Sequence, residues 1–148
     1  MAAIAAMAAT KVTPKQANLA VNANALFTLS ASVTLLAGAT AGTADMTGFF
    51  VPKGTLVLAA VLNSSTDQGD TATFQIGLTT DGTLGTKTAL TDAGKSVVQP
   101  SPTPKIASAD RTVQVILADA ACAAGVLTVT LVCCQVEASE STYDTQTT

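Results

Sequence analysis

Four stretches of the chain alternate apolar and polar residues with a period of two, which predicts β-strands with one buried and one wet face. In the clearest, Phe27 to Leu35, apolar residues occupy the odd positions, and threonine and serine occupy the even ones. Similar alternation recurs at Ala72 to Leu78, Val113 to Leu117 and Leu127 to Cys133. The last stretch becomes apolar on both faces towards its end, where Val132 and Cys134 take the positions held earlier by threonines.

The run Leu56 to Leu62 differs from these strands because every position in it is apolar. It is short and follows the turn sequence Pro52-Lys53-Gly54, which favours a strand over a helix. We therefore expect a strand with one face in the core and the other against a neighbouring sheet or subunit.

Turn signals separate the predicted strands. Asp67 to Asp70 and Asp81-Gly82 are turn sequences, and alternate prolines make Gln99 to Lys105 an extended loop of the polyproline type. Between Lys11 and Glu137 no amphipathic helix exceeds two turns, although Asp119 to Ala124 could form a single helical turn. Six to eight strands without intervening helices predict an all-β fold, an antiparallel β-sandwich of the jelly-roll kind.

The chain divides into an arm and first edge segment over residues 1–24, a β-sandwich domain over 25–137 and a flexible tail over 138–148. The Ala-rich start, Met1 to Ala9, lacks the positive region of a signal peptide, so we interpret it as an arm. No uncharged apolar run reaches the length that a transmembrane helix needs.

Charged residues make up only 11% of the 148 residues, and Ala, Thr, Ser and Gly are abundant instead. Because an isolated soluble domain usually carries about 25% charged residues, the deficit indicates a surface partly covered by neighbouring molecules. The net charge of −3 and the scattered Lys and Arg residues argue against nucleic-acid binding.

Candidate chemistry is sparse, and we predict no catalytic, cofactor-binding or metal-binding residues. The chain has no histidine, which removes histidine-based catalysis and zinc ligation. The three cysteines, Cys122, Cys133 and Cys134, lack metal-site spacing, and adjacent strand cysteines point to opposite faces. We expect them to be buried or half-buried thiols in a protein made in a reducing cytoplasm.

Two local patterns imitate binding sites. Ala89 to Ser96, ALTDAGKS, resembles a phosphate-binding loop, but the β-branched residues and proline that follow do not start a helix. The carboxylates Asp67, Asp70 and Asp81 lack the spacing of a calcium loop, so we interpret them as turn residues. Phe49-Phe50 is expected to place one ring in the core and the other near it or at a subunit contact.

Three stretches together resemble a known group of proteins: FFVPKGTLVLAAVLNSS, DTATFQIGLTTDG and DRTVQVILADAACAAGVLTVTLVCCQVE. Their order of apolar, polar and turn residues is similar to that of the small β-sandwich proteins that decorate, or cement, the capsids of tailed bacteriophages. The similarity spans Phe49 to Glu137 and includes the closing strand pattern A-G-x-L-T-V at Ala124 to Val129.

The resemblance implies a non-enzymatic virion protein on the capsid exterior, a homotrimer that binds the major capsid protein and ties its copies together. Phage tail, fibre-base and head-fibre proteins share this sequence pattern and are the first alternative to a capsid decoration protein. A ligand-binding or carbohydrate-binding jelly roll is the second, although sugar sites favour Trp and Tyr, and this chain has no Trp. Candidate interface segments are the arm, Leu56 to Leu62 and Gln99 to Lys105.

Overall fold

The computed structural model describes residues 26–136, which form ten β-strands in two antiparallel sheets. The strands are β1 (Leu26–Leu35), β2 (Gly42–Val51), β3 (Thr55–Ser64), β4 (Thr73–Leu78), β5 (Gly82–Thr83), β6 (Thr88–Ala89), β7 (Ser96–Val98), β8 (Lys105–Ile106), β9 (Arg111–Ala118) and β10 (Gly125–Gln135). Four of them, β5 to β8, are only two or three residues long. β5 and β6 both pair with β4, and β7 and β8 both pair with β3, so each of these two pairs takes the place of one longer strand.

The first sheet has the order β1-β10-β3-β7, with β8 also beside β3, and the second has the order β2-β9-β4-β5, with β6 also beside β4. The pairs are nested along the chain, since β1 pairs with β10, β2 with β9, and β3 with β7 and β8. The chain thus folds as one long antiparallel hairpin rolled into two sheets. This is the jelly-roll arrangement, so the predicted β-sandwich is confirmed.

Within residues 26–136 the structure contains strands and loops but no helix, and hence no helix able to span a membrane. The single helical turn suggested for Asp119 to Ala124 is therefore wrong. Asp119 has a positive φ of 71°, which interrupts any helical path at its first residue. The loop is instead held by the backbone N–H of Cys122, which donates to the Ala39 carbonyl at 3.1 Å.

Alternation along the strands builds one core between the sheets. In β1 the inward Leu29, Val33 and Leu35 are almost fully buried, as the period-two pattern predicts. The two largest buried side chains are Phe49 and Phe74, one from each of two strands of the second sheet. Because truncating a buried Phe costs about 3–5 kcal/mol, these rings contribute strongly to stability.

Two strands, β2 and β3, depart from simple alternation because the pairing of each is interrupted by a register shift. In β2 the pairing with β9 shifts between Asp45 and Phe50, and Gly48 has a positive φ of 83°. The shift sets residues 46–49 of β2 against a single residue of β9, so that Phe49 faces the core and Phe50 lies outside with 49% exposure. The expectation of one ring in the core is thereby confirmed, and a subunit contact for the other ring stays a prediction.

Candidate interaction surface

The outer face of the first sheet begins at one end with a row of apolar residues. Strand register places Leu26 beside Cys134, Cys134 beside Leu56, and Leu56 beside Ile106. Leu26 is 67% exposed and Ile106 is 46% exposed, at the two margins of the sheet. The row therefore presents apolar side chains across the width of the sheet.

The apolar character continues along the middle strands. Val132 lies beside Ala59, and Val61 lies beside Val98, which is 57% exposed. A bulge contributes here, because the register between β3 and β10 shifts at Val132 and leaves Leu58 without a Cα partner. Leu58 and Ala59 are both half-buried outside the core. The run Leu56 to Leu62 thus has one core face, as predicted, while its other face is half-buried.

Hydroxyl and amide side chains occupy the other half of this outer face and bond to one another across strands. The Ser30 and Thr130 hydroxyls are 3.0 Å apart, and the Ser32 and Thr128 hydroxyls are 2.8 Å apart. Asn63 donates to the Ser96 hydroxyl at 3.1 Å. Since these groups satisfy each other, this half is polar without being charged.

We call the whole outer face of the first sheet the neutral face, because none of its residues is acidic or basic. It consists of Leu26, Thr28, Ser30, Ser32, Thr34, Leu56, Leu58, Ala59, Val61, Asn63, Ser96, Val98, Ile106, Val126, Thr128, Thr130, Val132 and Cys134. Contiguous exposed apolar surface on a soluble domain usually marks a contact with another molecule.

The outer face of the second sheet has a different chemistry. Gln114 donates to the Asp45 carboxylate at 2.8 Å, and Lys87 forms an ion pair with Asp119 at 3.0 Å. Hydrogen bonds from Thr73 and Lys87 lower the pKa of Asp119 below its ordinary value. This face therefore carries both signs of charge, as a solvated surface does.

The most interconnected charged group lies at one end of the sandwich, around Asp81. Its carboxylate accepts hydrogen bonds from the Ser108 hydroxyl at 2.7 Å, the Ser108 backbone N–H at 3.0 Å and Arg111 Nε at 3.2 Å. Burial alone would raise the pKa of Asp81, but the bonds from Ser108 and the charge of Arg111 hold it below its ordinary value. The cluster joins two loops and β9, so we assign it a structural role.

The cysteines lie as the alternation predicts. Cys122 and Cys133 are buried, Cys134 is half-buried on the neutral face, and all three are free thiols. Burial, with a smaller contribution from Cys134, raises the pKa of the Cys133 thiol to about 12. That thiol therefore stays protonated at neutral pH, which removes the nucleophilic form.

The patterns that imitate binding sites are turns in the structure. In the stretch Ala89 to Ser96, the backbone N–H of Gly94 donates to the Ser64 carbonyl at 2.7 Å, and the chain passes directly into β7. Asp67 accepts a hydrogen bond from the Gly69 N–H at 2.7 Å, as a turn residue does. Within residues 26–136 no group of three acidic, cysteine or histidine side chains is placed to hold a metal ion.

The other predicted interface segments have different outcomes. The N-terminal arm and the C-terminal tail lie outside the described residues. In Gln99 to Lys105, Gln99 is buried and its side chain donates to the Thr86 carbonyl at 3.0 Å, whereas residues 100–104 are exposed. The loop is thus held against the segment between β5 and β6, where the Thr86 N–H donates to the Pro100 carbonyl at 3.1 Å, and its two ends adjoin Val98 and Ile106 of the outer face of the first sheet.

Sequence reasoning singled out Leu56 to Leu62 but missed the neutral face as a unit. The face combines five strands that are distant in the chain, and only their register shows that charge is absent from all of them together. One signal was present in the sequence. Alternation predicts polar residues at the outward positions of a strand, yet Val132, Cys134 and the outward positions of Leu56 to Leu62 are apolar.

No protein-family model matches the chain, and neither does any curated protein sequence. Three solved structures from phage capsids share its fold. The capsid of Ralstonia phage GP4 contains a chain with a TM-score of 0.59 and 18% identity, over 78% of this chain and 88% of that one. The capsid asymmetric unit of cyanophage Pam1 gives 0.57 and 19%, over 76% and 86%. The acid-stable capsid of Helicobacter pylori bacteriophage KHP30 gives 0.52 and 13%, over 77% and 91%.

Proposed function

We propose that this protein is a structural, non-enzymatic component of a phage capsid that decorates the shell and stabilises it. The observation that carries the proposal is the shared jelly roll, which covers most of this chain and most of each capsid chain that it matches. The resemblance noted in the sequence, from Phe49 to Glu137, also points to proteins of phage capsids, and within them to decoration proteins. In this proposal the protein sits on the capsid exterior as a homotrimer bound to the major capsid protein.

The neutral face is the surface that we assign to the major capsid protein. A charge placed in a contact without a partner is costly, so a face of apolar and hydroxyl groups suits a neutral partner surface. The mixed charges of the second sheet then remain in water. This arrangement also accounts for the low content of charged residues, 11% of the chain.

The direct test is to add purified full-length protein to phage capsids assembled without it and to measure binding by co-sedimentation. The proposal predicts saturable binding at a fixed number of copies per capsid and a rise in the temperature at which the capsids break. Absence of binding, together with binding to a glycan on an array, would contradict it in favour of a carbohydrate-binding jelly roll. Binding to purified tails or fibres but not to capsids would place the protein elsewhere on the particle.

A further inference from the structure

Strand β1 forms an open edge of the first sheet. Among the described residues its only partner strand is β10, so no described strand pairs with the backbone N–H and C=O groups on the other side of β1. Proteins usually block such an edge with a charge, a proline or a bulge, and β1 contains none of these. By contrast, the edge strand β2 has a register shift, and the strands at the opposite edges are only two or three residues long.

The sequence just before β1 has the pattern of a matching strand. Every odd-numbered residue from Ala17 to Leu35 is apolar, so the alternation of β1 extends in the same phase through Ala25. Four of the five even positions from 16 to 24 are polar, namely Gln16, Asn18, Asn22 and Asn24, and the fifth is the small Ala20, so this row suits a wet face. About nine further residues of strand would extend β1 by roughly 30 Å beyond the sandwich.

The domain's own sheet offers no suitable partner for this extension. Continuing the β1–β10 register would place Glu137, Ser139 and Ser141 opposite Ala23, Val21 and Leu19, so a polar row would face an apolar one. A reversal onto its own β1 is not signalled either, because no glycine occurs before Gly38 and no Asn-Gly or Asp-Gly turn lies near Leu26. Neither β10 nor a tight turn onto β1 therefore matches the apolar row, whereas the open edge of β1 in another copy has the same alternation.

We propose that residues 17–25 add as an antiparallel strand to the open edge of β1 in a second copy of this chain. In the register we assign, Leu19 lies opposite Val33, Val21 opposite Ala31, and Ala23 opposite Leu29. In each of these pairs a larger apolar side chain lies opposite a smaller one. On the other face Asn18, Asn22 and Asn24 meet Thr34, Ser30 and Thr28, so polar groups also meet polar groups.

The strand addition is a contact between copies and stands independently of the proposed capsid role. A reciprocal pair of copies satisfies it, and so does a ring of three in which each copy passes its segment to the next. It leaves the neutral face free for a different partner, since only the backbone edge of β1 is used.

Disulfide trapping between two differently tagged, co-expressed full-length chains tests the proposal, with Cys134→Ser in both. One chain carries Ala20→Cys and the other Ser32→Cys, which face each other in the assigned register on the wet side of the strands. Mild oxidation should yield a two-chain product carrying both tags. The matched control replaces Ser32→Cys with Thr28→Cys, four residues along the same face, and should yield several-fold less product.

Adding Val21→Asp to the Ala20→Cys chain should abolish the product, whereas Asn22→Asp, on the wet row, should preserve it. Thermal melts of each variant establish that the sandwich is folded. Equal yields in the trapping pair and its control would overturn the proposal. So would a disulfide within a single chain carrying both Ala20→Cys and Ser32→Cys, because the segment would then cover its own β1. Capsid binding plays no part in this readout, so the two proposals fail separately.

Discussion

The two sheets bury their inner faces in the same core, yet their outer faces differ in charge. The second sheet presents Asp45 and the Lys87–Asp119 ion pair among polar residues, whereas the neutral face of the first sheet presents none. The neutral face also exposes four large apolar side chains, Leu26, Val98, Ile106 and Val126, whereas the outer face of the second sheet exposes Phe50. Ile106 at 46% and Phe50 at 49% are exposed to a similar degree, which makes them a matched pair for comparing the faces. The faces therefore differ both in the extent of exposed apolar surface and in charge, and charge makes a surface costly to cover.

The largest effect is expected from placing a charge on each face in turn. Ile106→Asp should weaken binding to capsids by about tenfold or more, since burying an unpaired carboxylate costs at least about 1.4 kcal/mol, which is tenfold. Phe50→Asp is the matched control and should change binding by less than about twofold. Co-sedimentation titrations measure both. Equal losses in the two variants would break the proposed distinction between the faces.

A second prediction concerns the charged cluster at the end of the sandwich. Asp81→Asn should lower the free energy of unfolding at pH 7 by about 1–2 kcal/mol, because hydrogen bonds to a charged group contribute about 1.5–3 kcal/mol. Urea unfolding measures the loss. Asp70→Asn, in an exposed loop, is the control and should change stability by less than about 0.5 kcal/mol.

The difference in stability between the wild type and Asp81→Asn should depend on pH. The folded pKa of Asp81 lies below its ordinary value of 3.8, so its carboxylate stabilises the fold above that pH, and this contribution is lost as the pH falls through the lowered pKa. The wild type and Asp81→Asn should therefore converge in stability at acid pH. A constant difference between pH 7 and pH 2.5 would show that the carboxylate's charge is not the cause.

The smallest effect concerns salt. A double-mutant cycle between Ser32→Ala and Thr128→Val should give a coupling of about 0.5 kcal/mol that salt leaves unchanged, because both groups are neutral. A cycle between Lys87→Met and Asp119→Asn should give a coupling that decreases with salt. Thermal or urea unfolding at low and high ionic strength measures both. A salt-dependent coupling on the neutral face would contradict its description as uncharged.

Alternation was sufficient to predict β1, β4, β9 and β10, since each keeps its phase along most of its length. It missed β2, in which the irregular pairing between Asp45 and Phe50 shifts the buried positions from even to odd numbers. In β3 the run Leu56 to Leu62 is apolar at every position because its outward residues Leu56, Leu58, Ala59 and Val61 belong to the neutral face, so it resembled a strand buried on both faces. Bulges are set by the partner strand, so a single strand's pattern does not reveal them.

The candidate surface was less predictable than the fold, because it depends on contacts between distant residues. Asp81 and Arg111 are thirty positions apart, and the row from Leu26 to Ile106 joins four strands. The low charge content predicted a surface partly covered by neighbouring molecules, which stays a prediction. Only the strand register shows that the outward residues of one whole sheet are all uncharged.

The most direct test of the account is to label a thiol at matched positions on the two faces, before and after assembly on capsids. Ile106→Cys and Phe50→Cys, each with Cys134→Ser, should react with a maleimide at similar rates in the free protein. The buried Cys122 and Cys133 should remain unlabelled in both. On capsids the account predicts that Ile106→Cys is protected while Phe50→Cys still reacts. Equal labelling of both positions on capsids, or protection of Phe50→Cys alone, would contradict it.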